Sequence, residues 1–220
     1  MKKSDNIILS FDLDYTLINN TKGIVNSFNF ALREFNLPEV SKTIIQEMIG
    51  LPLNDMFVRF TESDPSKLSS KFRKYYSAKG IYQSKLLSGV KSKLKELKSS
   101  NFKLGIITSK KQSIAFKVIE FLKIDGFFEY IIGETEKIKS KLDPNLTQFL
   151  SRTYPESNFI VIGDHPKDAM LAKKLKCPFI GVLTGFHTAN QLKYARENKS
   201  QTLIVKKVSK ITLDMIYNFY

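Results

Sequence analysis

Cysteine and long apolar runs are scarce in this chain of 220 residues, and tryptophan is absent. The single cysteine, Cys177, excludes an intramolecular disulfide and suits a reducing compartment. No stretch approaches the roughly 18 to 20 apolar residues that a membrane-spanning helix requires. Lys2 and Lys3 precede a short apolar run, but Asp12 and Asp14 end it too early for the core of a signal peptide. We therefore expect a cytoplasmic protein without membrane association.

Negative charge is also in short supply, because 35 lysines and arginines oppose 21 aspartates and glutamates and leave a net charge of +14. Such an excess favours anionic partners, which include phosphorylated metabolites, nucleic acids and membrane surfaces. Nearly all of it is lysine scattered along the chain, whereas a nucleic-acid surface more often shows a basic stripe with arginines. A solvated lysine-rich surface is the favoured interpretation, and nucleic acid is the disfavoured partner.

The apolar pattern predicts a doubly wound α/β core. Short, nearly continuous apolar runs alternate with helical patterns, and they predict strands at 7–11, 102–108, 127–132, 159–162, 179–183 and 203–205. Strands of this kind belong to a parallel sheet that is covered on both faces. Asp143-Pro144 and Pro166 carry the signals of helix starts.

One connection is far longer than a crossover helix needs. Residues 12–101 separate the first two predicted strands. Within them, residues 18–86 read as helical throughout, with Phe28 and Leu32 on one helical face. Ser41 begins a predicted short helix that Gly50 ends, and Asp64-Pro65 begins another. We therefore predict a catalytic core of residues 1–17 and 87–220 and an inserted, all-helical domain of residues 18–86.

Two acidic motifs follow predicted strands. Asp12 and Asp14 come directly after the first strand, although composition alone supplies roughly 0.4 such pairs and turn or capping aspartates are a common alternative. Asp164 and Asp168 form a Gly-Asp-x-x-x-Asp motif with a chance expectation of roughly 0.02. If the two strands are neighbours, the carboxylates share one pocket at the carboxyl edge of the sheet. Hard oxygen ligands without a histidine or cysteine cluster favour Mg²⁺ over Zn²⁺.

Two further residues complete a candidate phosphate site. Thr108 ends the second core strand, where its hydroxyl and the following N–H groups, beginning at Ser109, could bind phosphate or cap a helix. Lys141 precedes the helix start at Asp143, and only its position in the order of motifs distinguishes it from a surface lysine.

Taken together, these segments resemble the haloacid dehalogenase (HAD) superfamily of phosphohydrolases over nearly the whole chain. The matching residues, in chain order, are Asp12, Asp14, Thr16, Thr108, Lys141, Asp164 and Asp168. The helical insert looks like the family's type I cap. The segments Phe11-Asp12-Leu13-Asp14 and Gly50-Leu51-Pro52-Leu53 resemble the phosphoglycolate phosphatase and β-phosphoglucomutase branch.

The resemblance implies a mechanism. Asp12 would attack phosphorus and form an aspartyl-phosphate, and Asp14 would act as general acid and then as general base. Mg²⁺ would be held by Asp12, the Asp14 carbonyl and Asp164, while Asp168 would hold its ligands or water shell. The phosphoryl oxygens would be bound by Thr108, Ser109 and Lys141. Candidates for substrate specificity are Tyr15, Thr16, Gly50 and Arg59.

The chain departs from the family's pattern in three places, one of which is Asn19-Asn20, where the family commonly has an aspartate a few residues after the first motif. Tyr15 stands where that branch usually has glycine, so its ring either narrows the entrance, stacks on a substrate or packs beneath the cap. The usual Lys-Pro is Lys141-Leu142 here, which makes Lys139 and Lys137 alternative candidates.

The sequence therefore predicts a magnesium-dependent phosphatase that acts on a small phosphorylated metabolite such as phosphoglycolate, a sugar phosphate or a nucleotide. We expect a monomer or homodimer. Two alternatives are a phosphomutase of the β-phosphoglucomutase type and a noncatalytic binding protein that keeps the fold.

Overall fold

The structure of the chain, a computed structural model, describes residues 6–49, 51–62, 64–195 and 201–220. These residues form two compact units. The first comprises the described residues of Met1–Ile18 and Leu86–Tyr220, and the second is Asn19–Lys85. In the described ranges, no helix combines the length and the apolar character that crossing a bilayer requires.

The strands and helices alternate along the first unit. The strands of the chain are β1 (Ile7–Phe11), β2 (Ile18–Asn19), β3 (Lys85–Leu86), β4 (Lys103–Lys111), β5 (Tyr130–Glu134), β6 (Asn158–Gly163), β7 (Phe179–Val182) and β8 (Thr202–Val205). The helices are α1 (Thr21–Arg33), α2 (Lys42–Met48), α3 (Leu53–Phe57), α4 (Pro65–Tyr75), α5 (Val90–Ser99), α6 (Gln112–Phe121), α7 (Pro144–Thr153), α8 (Pro166–Lys174), α9 (Ala189–Tyr194) and α10 (Leu213–Tyr217).

The first unit is built on a six-stranded sheet with the order β5-β4-β1-β6-β7-β8, and each of its strand pairs is parallel. The predicted α/β fold with a doubly wound parallel sheet is confirmed. After β1 the chain builds outward through β4 and β5, and it then returns to the other side of β1 through β6. The carboxyl end of β1 is therefore the point where the strand order reverses, which is where ligands bind in open α/β sheets.

The strands are apolar because both faces of the sheet are covered by helices. All five residues of β1 are buried. A cluster that includes Leu146 and Leu150 of α7 and Ala169 and Leu171 of α8 packs against residues of β1, β4, β5, β6 and β7. The N-cap of α7 is Asp143, whose carboxylate accepts the Asn145 N–H at 2.9 Å, as the Asp-Pro signal predicts.

The second unit is helical and has its own core. Its buried centre includes Phe28 of α1 and Phe57 of α3, whose rings stack at 4.2 Å. Ser41 and Asp64 accept backbone N–H groups at the starts of α2 and α4, so both predicted helix starts are confirmed. The short helix α3 and the two-stranded sheet of β2 and β3 were not predicted, because segments of two to five residues are too short to show a period.

Candidate active site

The two acidic motifs meet at the carboxyl edge of the sheet. Strands β1 and β6 are neighbours, and the Asp12 N–H continues their ladder by donating to the Ile162 carbonyl at 2.8 Å. Asp164 follows the last residue of β6 directly. Carboxylate oxygens of Asp12, Asp164 and Asp168 lie within 4.8 Å of one another, and all three residues are buried. The adjacency of the two strands thus brings together side chains that are about 150 positions apart in the sequence.

Lys141 lies inside this group. Its Nζ donates to Asp12 Oδ1 at 2.5 Å and to Asp168 Oδ1 at 2.6 Å, and its side chain is only 4% exposed. Burial by itself would lower the pKa of Lys141, but the adjacent Asp12 and Asp168 charges outweigh it and raise that pKa. The alternative candidates Lys137 and Lys139 are both exposed. The loop after β5 therefore delivers Lys141, and not its neighbours, to the carboxylates.

Burial and mutual repulsion disfavour the charged forms of these carboxylates. Burial raises the pKa of Asp12 to about 7, Asp168 and Asp14 add to this effect, and Lys141 opposes it. Burial also raises the pKa of Asp164 to about 8, with further contributions from Asp12 and Asp168. Three carboxylates opposed by one ammonium therefore leave a site that a further cation would stabilise.

Asp168 joins this network to the first turn of α8. Its Oδ1 accepts from Lys141, while its Oδ2 accepts the His165 N–H at 3.1 Å. The N-cap of α8 is His165, whose Nδ1 accepts the Lys167 N–H at 3.0 Å. Asp168 is 1% exposed and cannot turn toward solvent without breaking one of these contacts.

Thr16 and Thr108 are two buried hydroxyl residues near the acidic group, which consists of Asp12, Asp164 and Asp168. Thr16 Oγ1 donates to Asp164 Oδ1 at 2.8 Å, which fixes the orientation of that carboxylate. Thr108 is buried near the end of β4, and its Oγ1 accepts the Lys110 N–H at 3.2 Å. Ser109 is exposed. The sequence placed Thr16 among the specificity candidates, whereas its hydrogen bond is to a predicted metal ligand.

Tyr15 adopts a left-handed backbone conformation, with φ at 57°. This conformation suits glycine, the residue that the resembled branch usually has there, and it costs other residues energy. The Tyr15 carbonyl accepts from Thr184 Oγ1 at 2.5 Å, and its ring lies edge-on to Phe186 at 4.8 Å. Tyr15 is 6% exposed, and the contact of its ring with Phe186 lies within the first unit.

Sequence reasoning missed two residues that shape the site, Lys110 and Gly185, and gave no role of its own to Gly163, the glycine of the Gly-Asp-x-x-x-Asp motif. Lys110 Nζ forms an ion pair with Asp14 Oδ2 at 3.0 Å, and the only signal for it was its place two residues after Thr108. A Cβ atom at Gly185 would lie 1.8 Å from Asp164 Oδ2, and one at Gly163 would lie 2.1 Å from Asp168 Oδ2. Both glycines therefore leave the space that the carboxylates fill.

The remaining specificity candidates belong to the second unit. Arg59 is exposed just after α3. Gly50 lies outside the described residues.

The donor set fits a hard divalent cation. Asp12 and Asp164 offer carboxylate oxygens beside Asp168, and no histidine or cysteine joins them among the described residues. Oxygen-only donors are what Mg²⁺ and Ca²⁺ prefer, and Zn²⁺ more often takes nitrogen or sulfur.

Comparisons with known proteins identify the family of this chain. The family model of the haloacid dehalogenase-like hydrolases matches residues 8–182. A phosphoglycolate phosphatase of Haemophilus influenzae is 25% identical over 194 residues, which cover 82% of this chain and 87% of that protein. A pyrophosphatase, PpaX, of Halalkalibacterium halodurans is 29% identical over 168 residues, which cover 74% of this chain and 77% of that protein.

A solved structure extends the likeness to the fold. A haloacid dehalogenase-like family hydrolase from Streptococcus pneumoniae superimposes with a TM-score of 0.81 and 29% identity, covering 97% of this chain and 98% of that one. The matched segment runs from β1 through β7 and contains every residue of the acidic group and Lys141. The chain accordingly belongs to the haloacid dehalogenase-like hydrolase family.

Proposed function

We propose that this hydrolase is a magnesium-dependent phosphatase that cleaves a small phosphorylated metabolite through an aspartyl-phosphate on Asp12. One observation carries the proposal: the Lys141 ammonium bridges the buried carboxylates of Asp12 and Asp168, within a group that also contains Asp164. A nucleophilic carboxylate can approach a phosphate dianion only where positive charge surrounds it. Both named relatives act on phosphorylated compounds, but on different ones.

Mg²⁺ is proposed as the cofactor. Asp12 and Asp164 would hold it, together with the Asp14 carbonyl, and Asp168 would orient the surrounding ligands. When bound, Mg²⁺ supplies positive charge that neutralises the carboxylates and polarises the phosphoryl oxygens. The hydrogen bond from Thr16 already orients the Asp164 carboxylate, so this proposed ligand is preorganised for the ion.

The chain's own residues account for the remaining roles. Asp12 would attack phosphorus, and the leaving oxygen would take a proton from Asp14. Lys141 and Thr108, with the backbone after Thr108, would bind the phosphoryl oxygens as charge develops on them. Water would then attack the aspartyl-phosphate while Asp14 takes its proton, which releases phosphate and restores Asp12.

The helical second unit is proposed to act as the cap that selects the leaving group. It is a compact unit of its own, Asn19–Lys85. Tyr15 and Arg59 stay candidates for contacts with the substrate. A cytoplasmic location stays a prediction from the single, buried Cys177.

The test is a panel of phosphorylated compounds with Mg²⁺, which includes phosphoglycolate, sugar phosphates, nucleoside monophosphates and pyrophosphate. We expect release of inorganic phosphate from at least one of them. Asp12→Asn should lower kcat/KM by at least about 1,000-fold. Asp125→Asn, the same chemical change at an exposed position, is the matched control and should keep full activity.

The panel also separates the alternatives. A phosphorylated peptide that contains Asp12, found by rapid-quench mass spectrometry, would support the covalent intermediate. Isomerised sugar phosphate without net phosphate release would indicate a mutase. Silence across the panel, or an active Asp12→Asn protein, would refute the proposal.

A further inference from the structure

Lys110 and Asp14 form an ion pair beside the acidic group, and the roles proposed above for Asp14 do not involve Lys110. Lys110 Nζ lies 3.0 Å from Asp14 Oδ2, and the Lys110 side chain is 10% exposed. The Asp14 side chain is 29% exposed, so one partner is largely buried and the other is partly open to solvent. A partly buried pair fixes the orientation of a carboxylate more firmly than a fully exposed pair does. The two oxygens of Asp14 therefore differ, because Oδ2 is paired with the Lys110 ammonium and Oδ1 is not.

The second oxygen of this carboxylate is buried. Among the residues that the structure describes, none donates a hydrogen bond to Asp14 Oδ1. A buried carboxylate oxygen without a donor is costly, and such atoms are more frequent where a protein handles a substrate. Oδ1 is therefore the oxygen of Asp14 that has no hydrogen-bond donor within the described ranges, whereas Oδ2 has the Lys110 ammonium.

The backbone of β4 explains how Lys110 reaches Asp14. The ladder between β4 and β5 shifts its register between Ile107 and Lys111, so the segment that contains Thr108 and Lys110 leaves the regular pairing. Such irregularities redirect side chains next to active sites. The Lys110 N–H to Thr108 Oγ1 hydrogen bond holds this segment. Lys110 and Thr108 thus lie in the same irregular segment of β4.

We propose that Lys110 is a positioning residue for Asp14: it binds Oδ2 and thereby presents Oδ1 to the leaving-group oxygen. This inference rests on the proposed function. As the bond between phosphorus and the leaving oxygen breaks, its electron pair stays on that oxygen, which takes the proton from Asp14 Oδ1, while phosphorus bonds to the Asp12 carboxylate. The Lys110 ammonium stabilises the carboxylate that Asp14 becomes.

The second half-reaction uses the same arrangement in reverse. Water bonds to phosphorus and gives one proton to Asp14 Oδ1, and the bond between phosphorus and Asp12 breaks with its electron pair on Asp12. The balance is one phosphate monoester and one water consumed, and one alcohol and one inorganic phosphate formed.

The test compares leaving groups. A p-nitrophenolate leaves without protonation, whereas an alkoxide requires it, so only the alkyl ester depends on Asp14 as an acid. The parameter is kcat/KM, which reports the steps up to phosphoryl transfer. Lys110→Met should lower kcat/KM about 30- to 100-fold for an alkyl phosphate that the wild type cleaves, but less than about 3-fold for p-nitrophenyl phosphate.

Two companion variants exclude a merely structural role. Lys110→Arg keeps the positive charge, so its kcat/KM for the alkyl phosphate should lie within about 5-fold of the wild-type value. Lys103→Met is the matched control, because it makes the same change at the opposite end of β4 and should leave both substrates unaffected. In an Asp14→Asn background, Lys110→Met should have no further effect on the alkyl phosphate.

Each outcome decides the inference. Equal losses for both substrates would mean that Lys110 binds phosphate or supports the fold, and no loss or additive losses with Asp14→Asn would also overturn it. If Lys110→Met does not fold, Lys110→Gln serves the same comparison. An active wild type that Asp12→Asn inactivates, without the selective loss at Lys110, refutes this inference alone. An inactive wild type refutes the proposed function and this inference with it.

Discussion

Replacing Tyr15 tests whether the backbone just after Asp14 is strained. Tyr15 has φ at 57°, and the left-handed conformation costs a residue with a Cβ atom roughly 1–2 kcal/mol. Tyr15→Ala removes the ring but keeps the Cβ atom, whereas Tyr15→Gly removes both. The difference between the two variants therefore isolates the backbone contribution from the loss of packing.

The magnitudes oppose one another. Loss of the buried ring and its contact with Phe186 should destabilise both variants by about 3–5 kcal/mol. Glycine relieves the strain but adds about 0.4–1 kcal/mol of entropy to the unfolded chain. We therefore expect Tyr15→Gly to be more stable than Tyr15→Ala by about 0.5–1 kcal/mol.

The assay is urea unfolding at 25 °C followed by circular dichroism, with midpoints compared at equal slope. The control is the pair Ile119→Gly and Ile119→Ala, at a buried position of α6 in the same unit. The Ile119→Gly protein should be less stable than the Ile119→Ala protein by about 1 kcal/mol, because the helix requires no positive φ. A Tyr15→Ala protein more stable than Tyr15→Gly would refute the strain argument.

Three further predictions concern the acidic group. Gly185→Ala should weaken Mg²⁺ binding about 10- to 100-fold in calorimetry, because its Cβ would lie 1.8 Å from Asp164 Oδ2, while Gly126→Ala, which meets nothing within 4 Å, should bind normally. Lys141→Met should destabilise the protein by about 3–5 kcal/mol in urea unfolding and abolish phosphate release, since two buried carboxylates lose their ammonium; an active, stable variant would contradict this. Mg²⁺ at about 100 times its Kd should stabilise the protein by about 2.7 kcal/mol in a thermal melt, and an equal shift in Asp164→Asn would argue against the assigned ligands.

The fold was predictable because its signals are local. The buried strand β1 is apolar throughout and its predicted bounds, 7–11, are those of the structure. Asp64-Pro65 and Asp143-Pro144 carry capping chemistry that acts within a few residues, so both helix starts were confirmed. Each of these features depends on neighbours in sequence.

The site was predictable only in part, because its details depend on the path of the backbone. The strand order that joins Asp12 to Asp164 could be stated only as a condition, and the structure meets it. Lys141 was proposed by resemblance, since no local pattern separates it from Lys139. The Lys110–Asp14 ion pair depends on an irregular ladder that the sequence does not announce. The space beside Gly185 exists only after folding.

The two contacts of Asp168 carry an evolutionary consequence. One of its oxygens accepts the His165 N–H at the start of α8, and the other accepts from the Lys141 ammonium. A substitution of Asp168 that changes the charge of the site would also remove the contact with the His165 N–H at the start of α8. A change in the first turn of α8 that moves Asp168 would remove one carboxylate from the Lys141 ammonium. Local architecture and chemistry are thus inherited as one trait, which narrows the mutational routes open to this part of the protein.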